Sequence, residues 1–550
     1  MIITELLERN AKLLEGEVAL VEINPALRPK NESNWQEFKL IEGGTDPRAR
    51  RELTWGEFDA RANRIANLLL ARGVKKGDKV ALLLMNCLEW LPIYFGILKT
   101  GALAVPMNYR YTADEIKYCL DLSDSSMLIF GEEFIGRVSD ILPQIGNLNA
   151  LFFAGSPKVC PEFADDLLYL SGAASPVRPA IAATLTEDDY AAIYFSSGTT
   201  GFPKAILHKH RALINSCRTE QAHHGQQHDD VFICIPPLYH TGAKMHWFGS
   251  LISGSRAVLL RGVTPEWIIR TASEERATIV WLLVPWAQDI LDAIERGEID
   301  LSKYDLSRWR LMHIGAQPVP PSLIRRWKKY FPNHEYDTNY GLSESIGPGC
   351  VHLGVENIDH VGAIGKAGYL WKTKIADENG SDVPRGQVGE LWVAGPGVMT
   401  CYYKNPEASA EVLRGEWLCT GDMAREDEEG FIYLVDRKKD VIITGGENLY
   451  PVQIEDFIRE NDAVKDVAVI GLPDQRLGEI AAAIIELKPE YEGKVTEEDI
   501  NTFCLGMPRY KRPRKIIFAK VPRNPTGKIE KPLLRRTYCV ERLVEAQTSN

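Results

Sequence analysis

A short run rich in glycine and hydroxyl groups constrains this chain more than any other feature. It directly follows an apolar segment, Tyr190–Phe195, whose composition predicts a short buried strand. Glycines let backbone N–H groups approach an anion closely, and hydroxyls and a lysine add further donors. The run therefore predicts a polyphosphate-binding loop, with an ordinary polar surface turn as the alternative. Its members are Ser196, Ser197, Gly198, Thr199, Thr200, Gly201, Phe202, Pro203 and Lys204.

The spacing of this loop differs from that of the Walker P-loop, which follows the pattern G-x-x-x-x-G-K-S/T. Here two residues separate Gly198 from Gly201, and Lys204 lies three residues further on. The string instead resembles the phosphate-binding loop of the adenylate-forming superfamily. That superfamily contains the AMP-forming acyl-CoA and aryl-CoA synthetases, the nonribosomal adenylation domains and the luciferases. Ala205 stands where glycine is usual in that family.

Length, charge and cysteine usage limit the class of protein. The chain has 550 residues and a formal net charge of −11, which predicts two or more domains and argues against nucleic-acid binding. The ten cysteines are scattered, with no C-x-x-C pair and no Cys/His cluster at zinc-ligand spacing, which favours a cytoplasmic protein with reduced thiols. The N-terminus lacks the features of a signal peptide, and the longest apolar stretch, 90–107, is interrupted by Lys99 and Gly101. We therefore expect no transmembrane segment.

The order of apolar segments predicts an α/β fold. Predicted strands at 79–85 and 102–106 flank a predicted helix at 89–99, which is the βαβ order of a parallel sheet covered by helices. From about 375 to 436, short strands bounded by glycine and acidic turns are typical of a small antiparallel barrel. A compact α+β segment, with a helix predicted at 451–461 and another at 496–505, follows five consecutive charged residues at 436–440.

These segments suggest a division into two parts. We expect an N-terminal adenylation core over 1–438, with its barrel-like part at about 375–436. A small, mobile C-terminal α+β domain is expected over 439–550. Lys439 lies where members of the superfamily carry the hinge residue between the two domains, and a solvated linker is compatible with that role.

A motif in the middle of the chain resembles the superfamily pattern Y-G-x-T-E. It comprises Tyr340, Gly341, Leu342, Ser343 and Glu344. The resemblance implies that Glu344 acts in catalysis as an oxygen ligand of Mg²⁺ and that Tyr340 offers a face on which the base stacks. Upstream, the turn at Gly315, Ala316 and Gln317 resembles the one that lines the wall between adenosine and the acyl group.

Two further positions resemble residues that hold the nucleoside. Thr420-Gly421-Asp422 resembles the T-G-D motif, whose aspartate accepts hydrogen bonds from both ribose hydroxyls. Arg437 resembles an arginine that reaches the ribose or the phosphate. Without the resemblance, Asp422 would be an ordinary turn residue and Arg437 a linker charge.

Two C-terminal motifs complete the resemblance. Gly445 and Gly446 belong to a Gly-Gly-Glu-Asn string like the one beside the pantetheine arm of CoA, and a simple hairpin turn is the alternative. Lys528, in the string P-T-G-K-I, resembles the catalytic lysine that reaches into the adenylation site. A lysine at that place steadies a carboxylate while negative charge builds up at phosphorus.

The string Pro237-Leu238-Tyr239-His240 resembles the P-L-F/Y-H motif at the acyl pocket, which makes His240 a candidate catalytic residue. Amino-acid adenylation domains usually carry an aspartate in this region to pair with the substrate ammonium. His240 therefore favours a plain carboxylic acid. Lys244 is expected to point to solvent, with a contact to a polar or acidic substrate group as the alternative.

Together the resemblances imply an AMP-forming acyl-CoA synthetase, an acid–thiol ligase that uses ATP, Mg²⁺ and CoA. A medium-chain, long-chain or cyclic acid is expected, while fatty, branched, alicyclic and aryl acids all stay open. We expect no nucleic-acid partner and a monomer or homodimer. One alternative is another adenylate-forming enzyme, such as an aryl-CoA ligase, a carrier-protein ligase or a luciferase-like oxygenase. The other is a non-catalytic nucleotide-binding regulator.

Overall fold

A computed structural model describes residues 1–24, 50–146, 148–196, 203–261, 264–315, 319–360, 362–444, 447–523 and 529–548. None of the described helices is both long and apolar enough to cross a membrane. Numbered along the chain, the α-helices are α1 Ile3–Leu13, α2 Trp55–Ala71, α3 Trp90–Lys99, α4 Ala113–Ser123, α5 Ile135–Ile141, α6 Leu167–Ala173, α7 His210–His224, α8 Thr241–Ser253, α9 Pro265–Glu274, α10 Val284–Glu295, α11 Pro321–Tyr330, α12 Pro406–Val412, α13 Pro451–Arg459, α14 Glu497–Phe503 and α15 Lys531–Thr548.

An eight-stranded, mostly parallel sheet carries the glycine-rich loop. Numbered along the chain, its strands are β3 Lys79–Leu83, β4 Leu103–Pro106, β5 Met127–Phe130, β6 Ala150–Phe153, β7 Asp165–Asp166, β8 Tyr190–Phe195, β9 Ala205–Lys209 and β20 Cys401–Tyr402. Their order across the sheet is β20-β9-β8-β4-β3-β5-β6-β7. The β3–α3–β4 unit is parallel, as the sequence predicts, and β9 returns antiparallel to β8.

A second sheet of seven strands packs beside the first. Its strands are β1 Val18–Ile23, β2 Arg50–Thr54, β10 Val231–Cys234, β11 Arg256–Leu260, β12 Ile279–Leu283, β13 Leu311–Gly315 and β14 Glu335–Asp337. The order is β14-β13-β12-β10-β11-β1-β2, and every pairing except that of β1 with β2 is parallel. Apolar residues fill these strands almost continuously because helices cover both faces of a parallel sheet.

Helix α3 shows how tightly the two large sheets are packed. Every residue from Trp90 to Lys99 is buried, which is typical of a helix enclosed on all sides. The Lys99 ammonium is stabilised there by Glu8, at 2.9 Å, and Asp59, at 2.8 Å. Helix α8 lies in the same apolar cluster through Trp247, Phe248 and Leu251.

Two smaller antiparallel sheets follow, and the second of them lies where the sequence predicts a barrel, at about 375–436. One holds β15 Asn339–Leu342, β16 Gly347–His352 and β17 Lys366–Ala367. The other holds β18 Lys372–Ala376, β19 Val388–Ala394, β21 Leu413–Arg414, β22 Trp417–Glu426 and β23 Ile432–Arg437. The antiparallel strands predicted from about 375 to 436 are therefore confirmed, but antiparallel pairing begins earlier than predicted, with β15 and β16.

The C-terminal segment forms a separate sheet with its own core. Its strands are β24 Ile442–Thr444, β25 Glu447–Leu449, β26 Val464–Asp474, β27 Gly478–Leu487 and β28 Lys515–Phe518. Ile454, Val467 and Ile485 lie in one apolar cluster, against α13 and α14. The helices predicted at 451–461 and 496–505 are α13 and α14, each slightly shorter than expected. The fold is thus the expected mixed α/β fold with a small α+β unit at its end.

Candidate active site

The two ends of the glycine-rich loop are fixed by hydrogen bonds across a hairpin. Strands β8 and β9 pair up to Phe195 and Ala205. Beyond that pair, the Ser196 N–H donates to the Lys204 carbonyl at 3.0 Å, and the Lys204 N–H donates to Ser196 Oγ at 3.3 Å. The intervening predicted ligand-binding residues lie outside the described part of the chain; they are Ser197, Gly198, Thr199, Thr200 and Gly201. The described geometry is that of a loop closed at its base.

The base of this loop lies against the predicted Mg²⁺ ligand. The Lys204 ammonium is 4.7 Å from the ring centre of Tyr402, within cation–π range. The Tyr402 hydroxyl in turn donates to Glu344 Oε1 at 2.8 Å. The Glu344 main-chain carbonyl accepts the N–H of Met399 at 2.7 Å. Met399 thus holds the main chain of Glu344, and Tyr402 holds its side chain. Tyr402 therefore links the Lys204 ammonium, over its ring, to the Glu344 carboxylate, at its hydroxyl.

A second group of polar side chains meets around Asp422, which is buried. The Tyr340 hydroxyl donates to Asp422 Oδ2, and Arg437 Nε lies 2.7 Å from Asp422 Oδ1. Residues 422 and 437 are direct partners on β22 and β23, which is why the two side chains meet. The Asp422 carboxylate raises the pKa of Arg437, which stays charged. Gly421, with a φ of +72°, allows the turn that presents Asp422.

Ser343 and Gly341 lie between these two groups. Gly341 occupies an irregularity in the pairing of β15 with β16. The Ser343 carbonyl is 2.8 Å from His208 Nε2 on β9, and its hydroxyl is hydrogen-bonded to Thr241 Oγ1 at 3.3 Å. Burial lowers the pKa of His208 to about 4, so its ring is neutral at pH 7. This loop is therefore tied to the hairpin and to α8.

The neighbouring turn contributes one described residue. Gly315 ends β13, and a Cβ added there would meet only Thr338 Oγ1 at 3.9 Å and the Asn339 carbonyl at 4.0 Å. The protein's own atoms therefore leave room for a side chain at this position. Ala316 and Gln317 lie outside the described residues.

His240 caps the first turn of α8. Its Nδ1 accepts the N–H of Gly242 at 3.1 Å, which satisfies one of the N–H groups that a helix start leaves without an intrahelical partner. A Cβ added to Gly242 would lie 3.4 Å from Trp281, so α8 approaches β12 closely here. His240 thus has a structural role at the start of the helix, next to the Thr241–Ser343 contact.

The expectation that Lys244 points to solvent is wrong. Its side chain is fully buried, and its ammonium lies 4.2 to 5.5 Å from the ring centres of Tyr194, Tyr94 and Trp90. Burial lowers the pKa of Lys244 well below its ordinary value. The physical reason is packing, since this face of α8 is enclosed by α3 and β8.

The predicted hinge lies in a tight turn between β23 and β24. The N–H groups of Asp440 and Val441 donate to the Arg437 carbonyl at 2.8 and 3.1 Å, and the Lys439 side chain is exposed. Arg535 on α15 reaches back to Asp440 at 2.6 Å. The other predicted C-terminal site residues, Gly445, Gly446 and Lys528, lie outside the described residues.

A cleft of about 220 Å³ connects Glu344, Tyr402 and Arg437, and also borders Thr420 and Gly421. Sequence reasoning missed Tyr402, His208 and Thr241, which position Glu344 and Ser343. His208 and Tyr402 lie beside the cleft because β9 and β20 are neighbouring strands of the sheet. No local sequence motif indicates that position.

Comparisons with known proteins identify the family. Residues 36–403 match the family model of the AMP-binding enzymes, and 453–528 match that of their C-terminal domain. The chain is 32% identical over 502 residues to the long-chain-fatty-acid–CoA ligase FadD13 of Mycobacterium tuberculosis, covering 90% of this chain and 95% of that protein. It is 31% identical over 490 residues to a feruloyl-CoA synthase of an Amycolatopsis species, covering 88% and 94%. Its structure superposes with a TM-score of 0.85 on the anthranilate CoA ligase AuaEII in complex with anthranoyl-AMP, at 26% identity, covering 99% and 98%.

The chain therefore belongs to the AMP-binding enzyme family. It is an acid–thiol ligase of the acyl-CoA synthetase type, which activates a carboxylic acid with ATP as acyl-AMP and passes the acyl group to CoA. The expectation of the adenylate-forming superfamily is thereby confirmed.

Proposed function

We propose that the cleft bounded by Glu344, Tyr402 and Arg437 is the adenylation site of this enzyme. The observation that carries the proposal is the pair of polar groups at its wall, one around Glu344 and one around Asp422. The first lies at the base of the glycine-rich loop and suits phosphate charge. The second suits the ribose. A nucleotide spanning the two would present its α-phosphate near Lys204 and Ser343.

Asp422 retains the capacity to bind a diol. An ionised carboxylate offers about four lone-pair sites. Arg437 uses one on Oδ1, and the Tyr340 hydroxyl uses one on Oδ2. In this proposal the ribose hydroxyls donate to one remaining site on each oxygen, while Arg437 and Tyr340 hold the carboxylate in place.

The residues around Glu344 fit a Mg²⁺ ion carried by the phosphates of ATP. Mg²⁺ prefers oxygen ligands and is usually held by one or two carboxylates together with substrate phosphates. Glu344 would hold it through its carboxylate, which Tyr402 orients. When bound, Mg²⁺ supplies positive charge that stabilises the phosphates. Lys204 adds a second positive charge at the same end of the cleft.

We further propose that the chain works as two units, 1–438 and 439–550, that rotate about Lys439. The separate apolar core around Ile454 and Ile485 supports this division. The contacts around the connecting turn include hydrogen bonds to the Arg437 carbonyl, the Arg535–Asp440 ion pair and a hydrogen bond from the Val452 N–H to Asp436. In this proposal Lys528 serves the first half-reaction, and rotation then brings Gly446 to the CoA channel.

For the substrate we propose a medium-chain, long-chain or cyclic carboxylic acid without an ammonium group. His240 stands at the start of α8, and the buried apolar side chains of that helix include Trp247 and Phe248. The relatives named as a long-chain-fatty-acid–CoA ligase and a feruloyl-CoA synthase support an apolar acyl group. The acids to test are therefore straight-chain, alicyclic and aryl acids, with amino acids as negative controls.

The nucleoside assignment is tested with Asp422→Asn. This change keeps the shape of the side chain but removes the charge, and a hydrogen bond to a charged group is worth about 1.5–3 kcal/mol. We expect the KM for ATP to rise about 10- to 100-fold, with a smaller change in kcat. The matched control is Asp427→Asn, in the turn between the same two strands, where the carboxylate accepts the N–H groups of Glu429 and Phe431. An ATP KM for Asp422→Asn within twofold of the control would refute the assignment.

A further inference from the structure

A group of histidines and carboxylates is buried away from the cleft. His224 ends α7, His313 lies on β13, and Asp337 ends β14, and all three side chains are completely buried. One donor atom from each lies within 4.8 Å of the other two. Three further titratable residues lie in the same neighbourhood: His223 and Glu220 on α7, and His352 on β16. The adenylation proposal uses none of them.

The donor atoms converge on a common point. His224 Nε2 is 3.2 Å from His313 Nδ1 and 3.5 Å from Asp337 Oδ2, while His313 Nδ1 is hydrogen-bonded to Asp337 Oδ1. Two donors on a tetrahedral Zn²⁺ ion, with bonds of about 2.0 Å, are separated by about 3.3 Å. The two edges made by His224 Nε2, to His313 Nδ1 and to Asp337 Oδ2, match that separation. The third edge, from His313 Nδ1 to Asp337 Oδ1, is shorter because those two atoms are hydrogen-bonded.

Hydrogen bonding accounts for the edge between His313 and Asp337 but not for the edge between His224 and Asp337. A neutral imidazole carries one N–H, and an ionised carboxylate only accepts. The edge from His224 to Asp337, at 3.5 Å, is longer than a good N–H···O hydrogen bond. A cation that replaces the proton between His313 and Asp337 would contact one donor atom from each of the three residues.

The surrounding residues resemble the outer shell of a metal site, in which ligating groups are held by further polar partners. His352 Nε2 lies 2.9 Å from Asp337 Oδ2 and so orients the carboxylate. Glu220 Oε2 lies 3.7 Å from His224 Nδ1, the ring nitrogen on the opposite side from the triangle. Asp337 is fully buried, and a divalent cation would balance its negative charge.

We propose that His224, His313 and Asp337 bind a divalent transition-metal ion, with Zn²⁺ as the expected occupant. Two imidazoles and one carboxylate form a donor set that suits first-row divalent metals, for which Zn²⁺ is a strong competitor. The site joins α7 to two adjacent strands. Strand β13 leads to Gly315, and β14 is followed directly by the Tyr340 motif. The metal therefore acts as a structural brace beneath two elements of the cleft.

The test is metal analysis of the full-length protein, purified without a metal-binding tag from cells grown with added zinc. Inductively coupled plasma mass spectrometry should find about one equivalent of Zn²⁺ per chain. His224→Gln and Asp337→Asn should each lower this to less than about 0.2 equivalent. The control is His228→Gln, since His228 lies four residues after His224 but is exposed and contacts Glu17 instead. It should keep the full metal content.

A second measurement needs no variant. Wild-type protein unfolded with a chelator and refolded with Co²⁺ should show the visible d–d absorption of a low-symmetry Co²⁺ site, and Zn²⁺ should abolish it. Less than about 0.1 equivalent of any of Mn, Fe, Co, Ni, Cu and Zn in the wild type, together with no Co²⁺ absorption, overturns the proposal. Equal metal content in the wild type and in both ligand variants also overturns it, because the ion would then be bound elsewhere.

Discussion

Replacing Lys244 with methionine should stabilise the protein. Two lysines in the described part of the chain are completely buried, and their surroundings differ. Lys99 is paired with Glu8 and Asp59. Within the described ranges the Lys244 ammonium has no hydrogen-bonding partner and contacts only aromatic faces. Methionine has a similar length and volume and carries no group that must be desolvated.

The magnitude follows from the cost of burying the amine. In the unfolded chain the lysine has a pKa of about 10.4, so burying it in the neutral form at pH 7 requires the release of a proton. This release costs about 1.4 kcal/mol for each pH unit by which the folded pKa lies below about 10.4, counted no further down than pH 7. The aromatic faces of Tyr194, Tyr94 and Trp90 stabilise the charged form by about 2 kcal/mol, which raises the folded pKa and so reduces this cost. We expect a net gain of about 2 kcal/mol for Lys244→Met. For a cooperative unit of roughly 400 residues, this raises the thermal midpoint by about 2 °C.

The same change should alter the pH dependence of stability. The folded pKa of Lys244 lies well below its unfolded pKa, so the unfolded chain binds a proton that the folded chain does not. The resulting destabilisation is present at pH 7 and fades as the pH rises toward about 10.4. The difference in the free energy of unfolding between the wild type and Lys244→Met should therefore shrink between pH 7 and pH 10.

The assay is differential scanning fluorimetry with urea unfolding at pH 7 and pH 9.5, with Lys99→Met as the matched control. Losing the Lys99 ammonium leaves Glu8 and Asp59 without their cation, and it should destabilise the protein by about 2–4 kcal/mol. Lower stability of Lys244→Met at both pH values would refute the reasoning. So would a selective loss of acid activation at unchanged stability, because Lys244 would then contact the substrate.

Two further predictions concern the two half-reactions. Lys528→Ala should slow acyl-AMP formation by about 100-fold or more, because it removes a charge that acts mainly in the transition state, while thioester formation from pre-made acyl-AMP survives. Equal damage to both half-reactions, measured separately, would count against this role. Lys439→Pro should reduce thioester formation far more than acyl-AMP formation, because proline fixes φ near −65° at the proposed pivot. If Lys439→Pro makes thioester as fast as Lys439→Ala, the pivot lies elsewhere.

The sequence predicted those parts of the fold that depend on local pattern. The apolar run Tyr190–Phe195 is β8, and the alternation of strand and helix from 79 to 106 is the parallel β3–α3–β4 unit. The antiparallel strands after about residue 375 were also predictable, because glycine and acidic turns bound them. Asp422 and Arg437 pair because they are direct partners in the register of β22 and β23. The family resemblance indicated only that both residues lie near the ribose.

Features set by long-range packing were not predictable in this way. Lys244 is buried because α3 and β8 enclose one face of α8, and nothing adjacent in the sequence indicates this. His224, His313 and Asp337 come from three separate elements, so they share no ligand spacing along the chain. The absence of a zinc-binding pattern in the sequence therefore does not bear on a site assembled by the fold.

The most direct test of the central claim is a pyrophosphate-release assay over a panel of carboxylic acids, with the products identified by mass spectrometry. With CoA present, at least one straight-chain, alicyclic or aryl acid should yield its acyl-CoA together with AMP and pyrophosphate. With CoA omitted, the same acid should yield enzyme-bound acyl-AMP. Release of ADP and phosphate instead, or acyl-AMP that is never converted to a CoA thioester, would contradict the account.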